Sequence, residues 1–272
     1  MSTFRDERLD RQLEKSAVEP AALARAISEL EGYHRQPIAA IAQRYWDSPK
    51  APSDNSAQGL LEFYRTSDRY LYESAYTEGY TDHQRMVRLL ARAVGRWRLD
   101  PVLDFGGGAG GLTLALAERG FACEYADVPG KLSEFFRWRL ASRKLSVPVQ
   151  DATQPLPSHR YGAVLAVDVL EHVPDLTAAL RQFKRALKPS GWFLATHSFG
   201  PNDPLHLPSS HPYEDLPRFD RLMREEGFHY LGRLKPDGIS EQLCRWTRMP
   251  VVWGARLSPK LKGGGNLLVY GL

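Results

Sequence analysis

The sequence predicts an α/β fold, a doubly wound and mostly parallel sheet preceded by an N-terminal helical region, and three observations carry that reading. From Pro101 onward, short apolar runs alternate with helix-period segments across short connections, the pattern of βαβ units with helices on both faces of a sheet. The first apolar run, V-L-D-F, opens onto G-G-G-A-G-G at Gly106–Gly111, a turn dense enough in glycine to be costly unless the backbone must bend sharply beside something. Ahead of about residue 95 the periodicity is helical. With 272 residues, 43% hydrophobic and 25% charged, the chain suits one generous domain or a domain with an appended segment.

In chain order, residues 1 to about 50 read as helices, with A-A-L-A-R-A-I-S-E-L after Pro20 and P-I-A-A-I-A-Q-R-Y-W after Gln36. The polar stretch S-P-K-A-P-S-D-N-S-A-Q-G is loop-like. An aromatic segment with Tyr64, Tyr70, Tyr72, Tyr76 and Tyr80 follows, then a helix that places Met86, Leu89, Leu90 and Val94 on one face. Strands are expected at P-V-L-D-F, C-E-Y-A-D, V-P-V-Q-D-A, Y-G-A-V-L-A-V-D and W-F-L-A-T-H, the last after a K-P-S-G turn. Helices fall between them, and F-H-Y-L-G-R-L and N-L-L-V-Y-G are expected as closing strands.

Composition excludes several classes. The net charge of +4 comes without a Lys/Arg block or an RNA-reading motif, so no nucleic-acid partner is expected. Cys123 and Cys244 are too few for a disulfide framework and lack metal-ligand spacing. The charged N-terminus has no apolar signal core, and no run of about 18 apolar residues occurs. A cytoplasmic protein is expected.

A strand, a glycine turn and a helix can seat an anionic or nucleotide ligand, and Gly106, Gly108 and Gly111 fit G-x-G-x-x-G. Two features turn that motif away from a dinucleotide. Asp104 precedes the glycines, where a carboxylate repels phosphate and welcomes an ammonium group. The next two strands also end in acids, Asp127 and Asp151; an acid ending the second strand can accept both ribose hydroxyls in a dinucleotide or in another adenosine cofactor, and the acid-small pair ending the third is well placed to meet an adenine amino group.

V-L-D-F-G-G-G-A-G, Y-A-D-V, Q-D-A, V-L-A-V-D-V-L-E-H-V-P-D and L-K-P-S-G-W together resemble the ordered motifs of class I S-adenosylmethionine-dependent methyltransferases, from about Pro101 to His197. The resemblance implies a Rossmann-like sheet of about seven strands with the last antiparallel, and S-adenosylmethionine as cofactor. It implies a core over 96–272 and, over 1–95, a helical cap on the substrate. Gly106, Gly107 and Gly108 would lie under the methionine moiety, Asp127 with Val128 on the ribose, and Asp151 with Ala152 at the adenine. Asp104, Asp168 and Tyr72 complete the expected cofactor contacts. The D-V-L-E-H-V stretch is similar to the E-V-L-E-H-V of ubiquinone-pathway O-methyltransferases, whose acids are associated with a divalent metal; bracing of the turn by Glu171 and His172 is the simpler reading, and no metal site is expected from the spacing here.

Methyl transfer asks a protein to align nucleophile and methyl group and sometimes to remove a proton. The candidate bases are His211, His206 and His172. His211 is favoured because Pro212 stiffens the chain beside it and Tyr213 can orient a hydroxyl. His197, His206 and His211 at irregular spacing make a poor metal set. Tyr72, Tyr76 and Tyr80 recur every four residues as core packing or as a cap, while Arg65, Arg69 and Arg85 could pair with a carboxylate. The basic-aromatic stretches R-W-R-L-A-S-R-K and R-W-T-R-M-P-V-V-W-G-A-R are read as solvated faces. The expected activity is methyl transfer to an oxygen or nitrogen, with carbon open, of a small molecule; a homodimer is compatible with it. An RNA or protein methyltransferase and a non-catalytic cofactor-binding scaffold are the alternatives.

Asp127→Ala is expected to weaken S-adenosylmethionine binding by about 1.5–3 kcal/mol, the scale of lost hydrogen bonds to a charged group. Titration calorimetry measures it, and tight NADH binding without a response to S-adenosylmethionine would contradict the cofactor reading.

Overall fold

Six helices lead into a sheet whose strands are threaded with four more. The computed structural model describes residues 4–14, 17–54, 56–201, 203–235, 238–240 and 251–255. The leading helices are α1 (Glu7–Gln12), α2 (Pro20–His34), α3 (Ile38–Asp47), α4 (Ala57–Thr66), α5 (Asp68–Thr77) and α6 (Thr81–Trp97). Side-chain caps fix several starts: Asp6 accepts from Leu9 N–H, Ser56 from Gly59 N–H and Ser67 from Tyr70 N–H, each satisfying an otherwise orphaned donor. Ser56 starts α4 inside the stretch expected to be loop.

Then follow β1 (Val102–Phe105), α7 (Gly111–Ala117), β2 (Cys123–Asp127), α8 (Lys131–Arg143), β3 (Val149–Asp151), β4 (Tyr161–Val167), α9 (Leu176–Ala186), β5 (Leu187–Thr196), α10 (Leu216–Glu225), β6 (Phe228–Lys235), β7 (Gly238–Ser240) and β8 (Val251–Ala255). Strand order is β3-β2-β1-β4-β5-β8-β6-β7. The first five in that order pair in parallel, and β8 runs antiparallel to both β5 and β6. The described residues thus hold eight strands where about seven are expected; β7 is a three-residue addition hairpinned onto β6. The strand inserted beside β5 is Val251–Ala255, whereas N-L-L-V-Y-G and Cys244 lie outside the described residues.

K-P-S-G is an outward bulge within β5. Tyr161 pairs with Leu187, and pairing resumes at Ala163 with Trp192, so four residues loop out, Lys188, Pro189 and Ser190 exposed or half-buried and Gly191 buried.

Two apolar layers cover the sheet. Leu103, Val164, Phe193 and Ala195 pack against α9 and α10 through Leu180, Phe183, Phe219 and Met223. On the other face Val102, Ala163 and Leu194 meet Leu114, Phe136 and, from α6, Leu90 and Val94. Although α6 lies within the stretch 1–95 expected as cap, it therefore packs in the sheet's own core. A third cluster belongs to the cap, where α2, α3 and α5 meet Leu132 and Phe135 of α8.

Polar pairs at long sequence range pin the cap. Asp6 accepts from Tyr72 Oη (3.0 Å) and Trp46 Nε1 (3.1 Å), Tyr76 Oη accepts from Asp6 N–H, and Tyr80 Oη donates to Asp10. The tyrosine repeat is thus the seam that receives α1. Arg139, 1% exposed, donates twice to Glu78, once to Glu29 and once to the Ala109 carbonyl, which ties the cap to the glycine turn.

Arg139→Ala leaves Glu78 without its buried counter-charge, while Glu29 keeps Arg143. A loss of about 3–5 kcal/mol is expected in urea unfolding, partly recovered by Arg139→Met combined with Glu78→Gln. A loss below about 1 kcal/mol would show that this cluster does not hold the cap.

Candidate active site

In the order β3-β2-β1-β4-β5 successive strands are added to one side of β1 and then, from β4, to the other, so a crevice opens at the carboxyl ends of β1 and β4, where ligands of open α/β sheets bind. The glycine turn lies at that crevice. Gly106 has φ +69° and a Cβ there would stand 2.5 Å from Val169 Cγ2; Gly108 has φ +57° and its Cβ would stand 2.7 Å from Ser74 Oγ. Any side chain would be strained and would fill the seat.

Strand-end acids surround the turn. Asp127 accepts from Gly108 N–H and Val128 N–H at 2.7 Å each, and Tyr125 Oη donates to the Gly108 carbonyl. Asp104 is 2% exposed and accepts from Thr113 Oγ1 at 2.6 Å. Burial pushes both carboxyls up to about 6, because a low-dielectric site penalises the charged form. Asp151 pairs in register with Asp127 and accepts from Thr153 N–H, while Ala152 N–H donates to the Asp127 carbonyl. Ser74, from α5, accepts from Ala109 N–H at 3.0 Å.

Across the crevice, Asp168 follows β4 in a left-handed conformation, φ +52°, an uncommon cost for a non-glycine residue. A reciprocal pair holds it: Asp168 N–H donates to Thr196 Oγ1, which donates back to Asp168 Oδ1. The 3₁₀ turn Leu170–His172 comes next. Glu171 is 1% exposed; its Oε1 accepts from Ser198 N–H, and Oε2 meets no partner. Burial, with Asp168 beside it, pushes its carboxyl up to about 8.

His172 Nδ1 lies 2.8 Å from the Leu205 carbonyl and His206 Nδ1 2.6 Å from the Gly200 carbonyl. A carbonyl only accepts, so both Nδ1 atoms carry a proton, and in the neutral ring Nε2 is the atom that presents a lone pair. The rings stand 5.2 Å apart, and Glu171, His172 and His206 offer ligand atoms all within 4.8 Å of one another. One carboxylate and two neutral imidazoles form a donor set that a divalent cation can use. The spacing concealed it, because the loop after β5 supplies the third member.

Other expected residues go elsewhere. His211 opens the turn His211–Glu214 and is not part of this cluster, so the favoured base stands apart from the two it was grouped with. His197 stacks on Phe199 and meets Phe219 edge-on. Tyr72, expected at the cofactor, gives its hydroxyl to Asp6. Arg69 is spent on the carbonyls of Tyr45 and Ser48, and Arg85 lies exposed beside Asp82. Sequence reading passed over Tyr64, whose ring meets Tyr70 and His172 edge-on and whose buried hydroxyl has no partner; its place in an aromatic-rich segment was the available signal.

A family model described as a methyltransferase domain matches residues 72–232, more than half of the chain and the whole crevice. The chain belongs to this methyltransferase family. Over 108 residues it is 34% identical to the ubiquinone biosynthesis O-methyltransferase of Nitrosospira multiformis, covering 37% of this chain and 44% of that protein. The protein of the same name from Leptothrix cholodnii is 30% identical over 164 residues, covering 54% and 61%. The matches thus span about half the length of these curated relatives. Among solved structures, the DszA carbon methyltransferase aligns with TM-score 0.50 and 18% identity over 91% of this chain and 68% of its own, a likeness of fold. S-adenosylmethionine is the cofactor of this family, and the crevice fits it: two glycines whose side chains would fill the seat, and acids at the ends of β1, β2 and β3. No helix among the described residues is long and apolar enough to cross a membrane.

Asp104 binds its proton more tightly folded than unfolded, so its ionisation costs stability above about pH 6 and nothing below about pH 4. Asp104→Asn is expected to stabilise the cofactor-free protein at pH 8 by up to about 3 kcal/mol, with the gain closing toward pH 4.5, while cofactor affinity falls. Thermal unfolding across pH checks this; a gain at pH 4.5 as large as that at pH 8 would contradict it.

Proposed function

We propose that the protein transfers the methyl group of S-adenosylmethionine to a small-molecule hydroxyl, with an amino nitrogen as the second choice of acceptor. The observation that carries this reading is the convergence of the Glu171 carboxyl with the His172 and His206 rings, whose ligand atoms lie within 4.8 Å of one another. The histidines accept through their unprotonated nitrogens, and Glu171 accepts once it gives up its raised-pKa proton, so the group suits a substrate that presents O–H or N–H and must lose a proton when methylated.

The cofactor supplies an activated methyl on a sulfonium. The residues do the rest. Asp127 and Asp151 hold the nucleoside half, the glycine turn supports the methionine half, and Asp168 faces its ammonium group. His206 or His172 accepts the proton from the substrate oxygen as that oxygen bonds to the methyl carbon. Tyr64, ending edge-on over His172, lends its free hydroxyl to orient the substrate. Burial holds the His172 imidazole below its ordinary range, which keeps its lone pair available near neutrality. Were a divalent cation resident, Glu171, His172 and His206 would hold it, and it would acidify the substrate hydroxyl in place of a base.

Release of S-adenosylhomocysteine with a panel of phenols and amines tests the activity. His206→Ala should lower turnover about 10²- to 10⁴-fold while cofactor affinity stays within about threefold. Dialysis against EDTA separates the two roles: activity lost and restored by a divalent cation assigns His206 as a ligand, and activity unchanged assigns it as the base. Full activity in both His206→Ala and His172→Ala would overturn the proposal.

A further inference from the structure

The cofactor's amino-acid arm carries an ammonium group and a carboxylate on one carbon. Asp104 and Asp168 are acids, which suit the ammonium group and repel the carboxylate. The carboxylate needs a hydrogen-bond donor, and the backbone of the glycine turn has none to offer from Gly106 to Gly110. Gly106 and Gly107 N–H donate to the Ala126 carbonyl, Gly108 N–H to Asp127, Ala109 N–H to Ser74 Oγ and Gly110 N–H to the Gly107 carbonyl. Resting on the reading that this arm lies on the turn, we infer that Ser74 of α5 is a cofactor-binding residue whose hydroxyl donates to the carboxylate.

Of the side chains that stand against the turn, one has a proton left to give. A Cβ would meet Val169 at Gly106, Tyr125 and Asp104 at Gly107, Ser74 at Gly108, Phe136 at Gly110 and Glu78 at Gly111. Val169 and Phe136 carry no donor. Tyr125 donates to the Gly108 carbonyl, Asp104 accepts from Thr113, and Glu78 holds Arg139. Ser74 Oγ accepts from Ala109 N–H at 3.0 Å, and its own proton has no acceptor among the described residues.

A hydroxyl accepts and donates at once, so the bond that fixes Ser74 Oγ on the turn leaves its O–H free to face what lies over Gly108. Oγ stands 2.7 Å from where a Gly108 Cβ would be, on the side of the turn that glycine keeps open. Ser74 and Gly106–Gly108 are half-buried, so this side of the seat is lined without being sealed. A neutral O–H orients the carboxylate without placing a cation beside the sulfonium. Arg69 is bonded to the carbonyls of Tyr45 and Ser48, and Arg139 to Glu78, Glu29 and the Ala109 carbonyl. The backbone of Arg65 packs on Gly130, in the turn after β2.

Calorimetry on the full chain compares three ligands: S-adenosylmethionine, its decarboxylated form, and 5′-methylthioadenosine, which lacks the whole amino-acid arm. In Ser74→Ala the affinity ratio of S-adenosylmethionine to the decarboxylated form should fall roughly 10- to 100-fold below the wild-type ratio, the scale of one hydrogen bond to a charged group. Methylthioadenosine binding by the variant shows that its fold and nucleoside seat are intact. A role confined to holding Ala109 would weaken all three ligands by a common factor and leave the ratio unchanged, and that result would overturn the inference. Ser74→Thr keeps the hydroxyl and should hold the ratio within about threefold of wild type; a fall as deep as that of Ser74→Ala would also overturn it. Failure of the wild-type protein to bind either methylthioadenosine or S-adenosylmethionine would overturn the cofactor assignment and the role of Ser74 with it.

Discussion

The backbone of Gly106–Gly111 is the constraint on which the rest of the crevice depends. It has no side chains with which to hold itself, and three of its glycines have positive φ, so its shape must be imposed by neighbours. Asp127 takes the Gly108 N–H from one side and Tyr125 takes the Gly108 carbonyl. Ser74 takes the Ala109 N–H from the cap, and Arg139 takes the Ala109 carbonyl. Two of the four clamps thus depend on α5 or on the ion cluster anchored there. The N-terminal helices are therefore bonded into the glycine turn itself and do not merely lie over it.

A second consequence is electrostatic. Asp104, Asp127 and Glu171 are all buried so deeply that their carboxyls move up to about 6, 6 and 8. A fold selected for stability alone would not gather them at one sheet edge. In the proposed reading the cofactor answers this cost, since it brings a sulfonium, an ammonium group and two ribose hydroxyls to the acids at this edge. The uncommon φ of Asp168 belongs to the same trade of stability for a prepared site.

The strands, the glycine turn and the strand-end acids were legible because each is a local pattern: apolar runs of four to seven residues, glycines where positive φ is needed, an acid at each strand terminus. K-P-S-G shows the limit of such reading. Its turn chemistry is genuine, yet the chain rejoins the same strand at Trp192, which only pairing with β4 decides. What stayed hidden depends on contacts distant in sequence. Tyr72 finds Asp6 across 66 positions, and no periodicity separates a tyrosine that faces a cofactor from one that faces a helix. His206 joins His172 because the loop after β5 folds back so that Leu207 N–H bonds the Glu171 carbonyl. The favoured His211 is five residues further along the same loop, a distance that spacing cannot weigh.

The central claim is that one crevice, between the glycine turn and the acids at the ends of β1–β4, seats the cofactor. Amide chemical-shift mapping during titration with S-adenosylhomocysteine tests it most directly. The largest shifts are expected at Gly106–Gly110, Asp127, Val128, Ala152 and Asp168, with a second set at Ser74 and Glu78 because the cap holds the turn. Saturable shifts confined to other surfaces, such as α10, with the glycine amides unmoved, would contradict it.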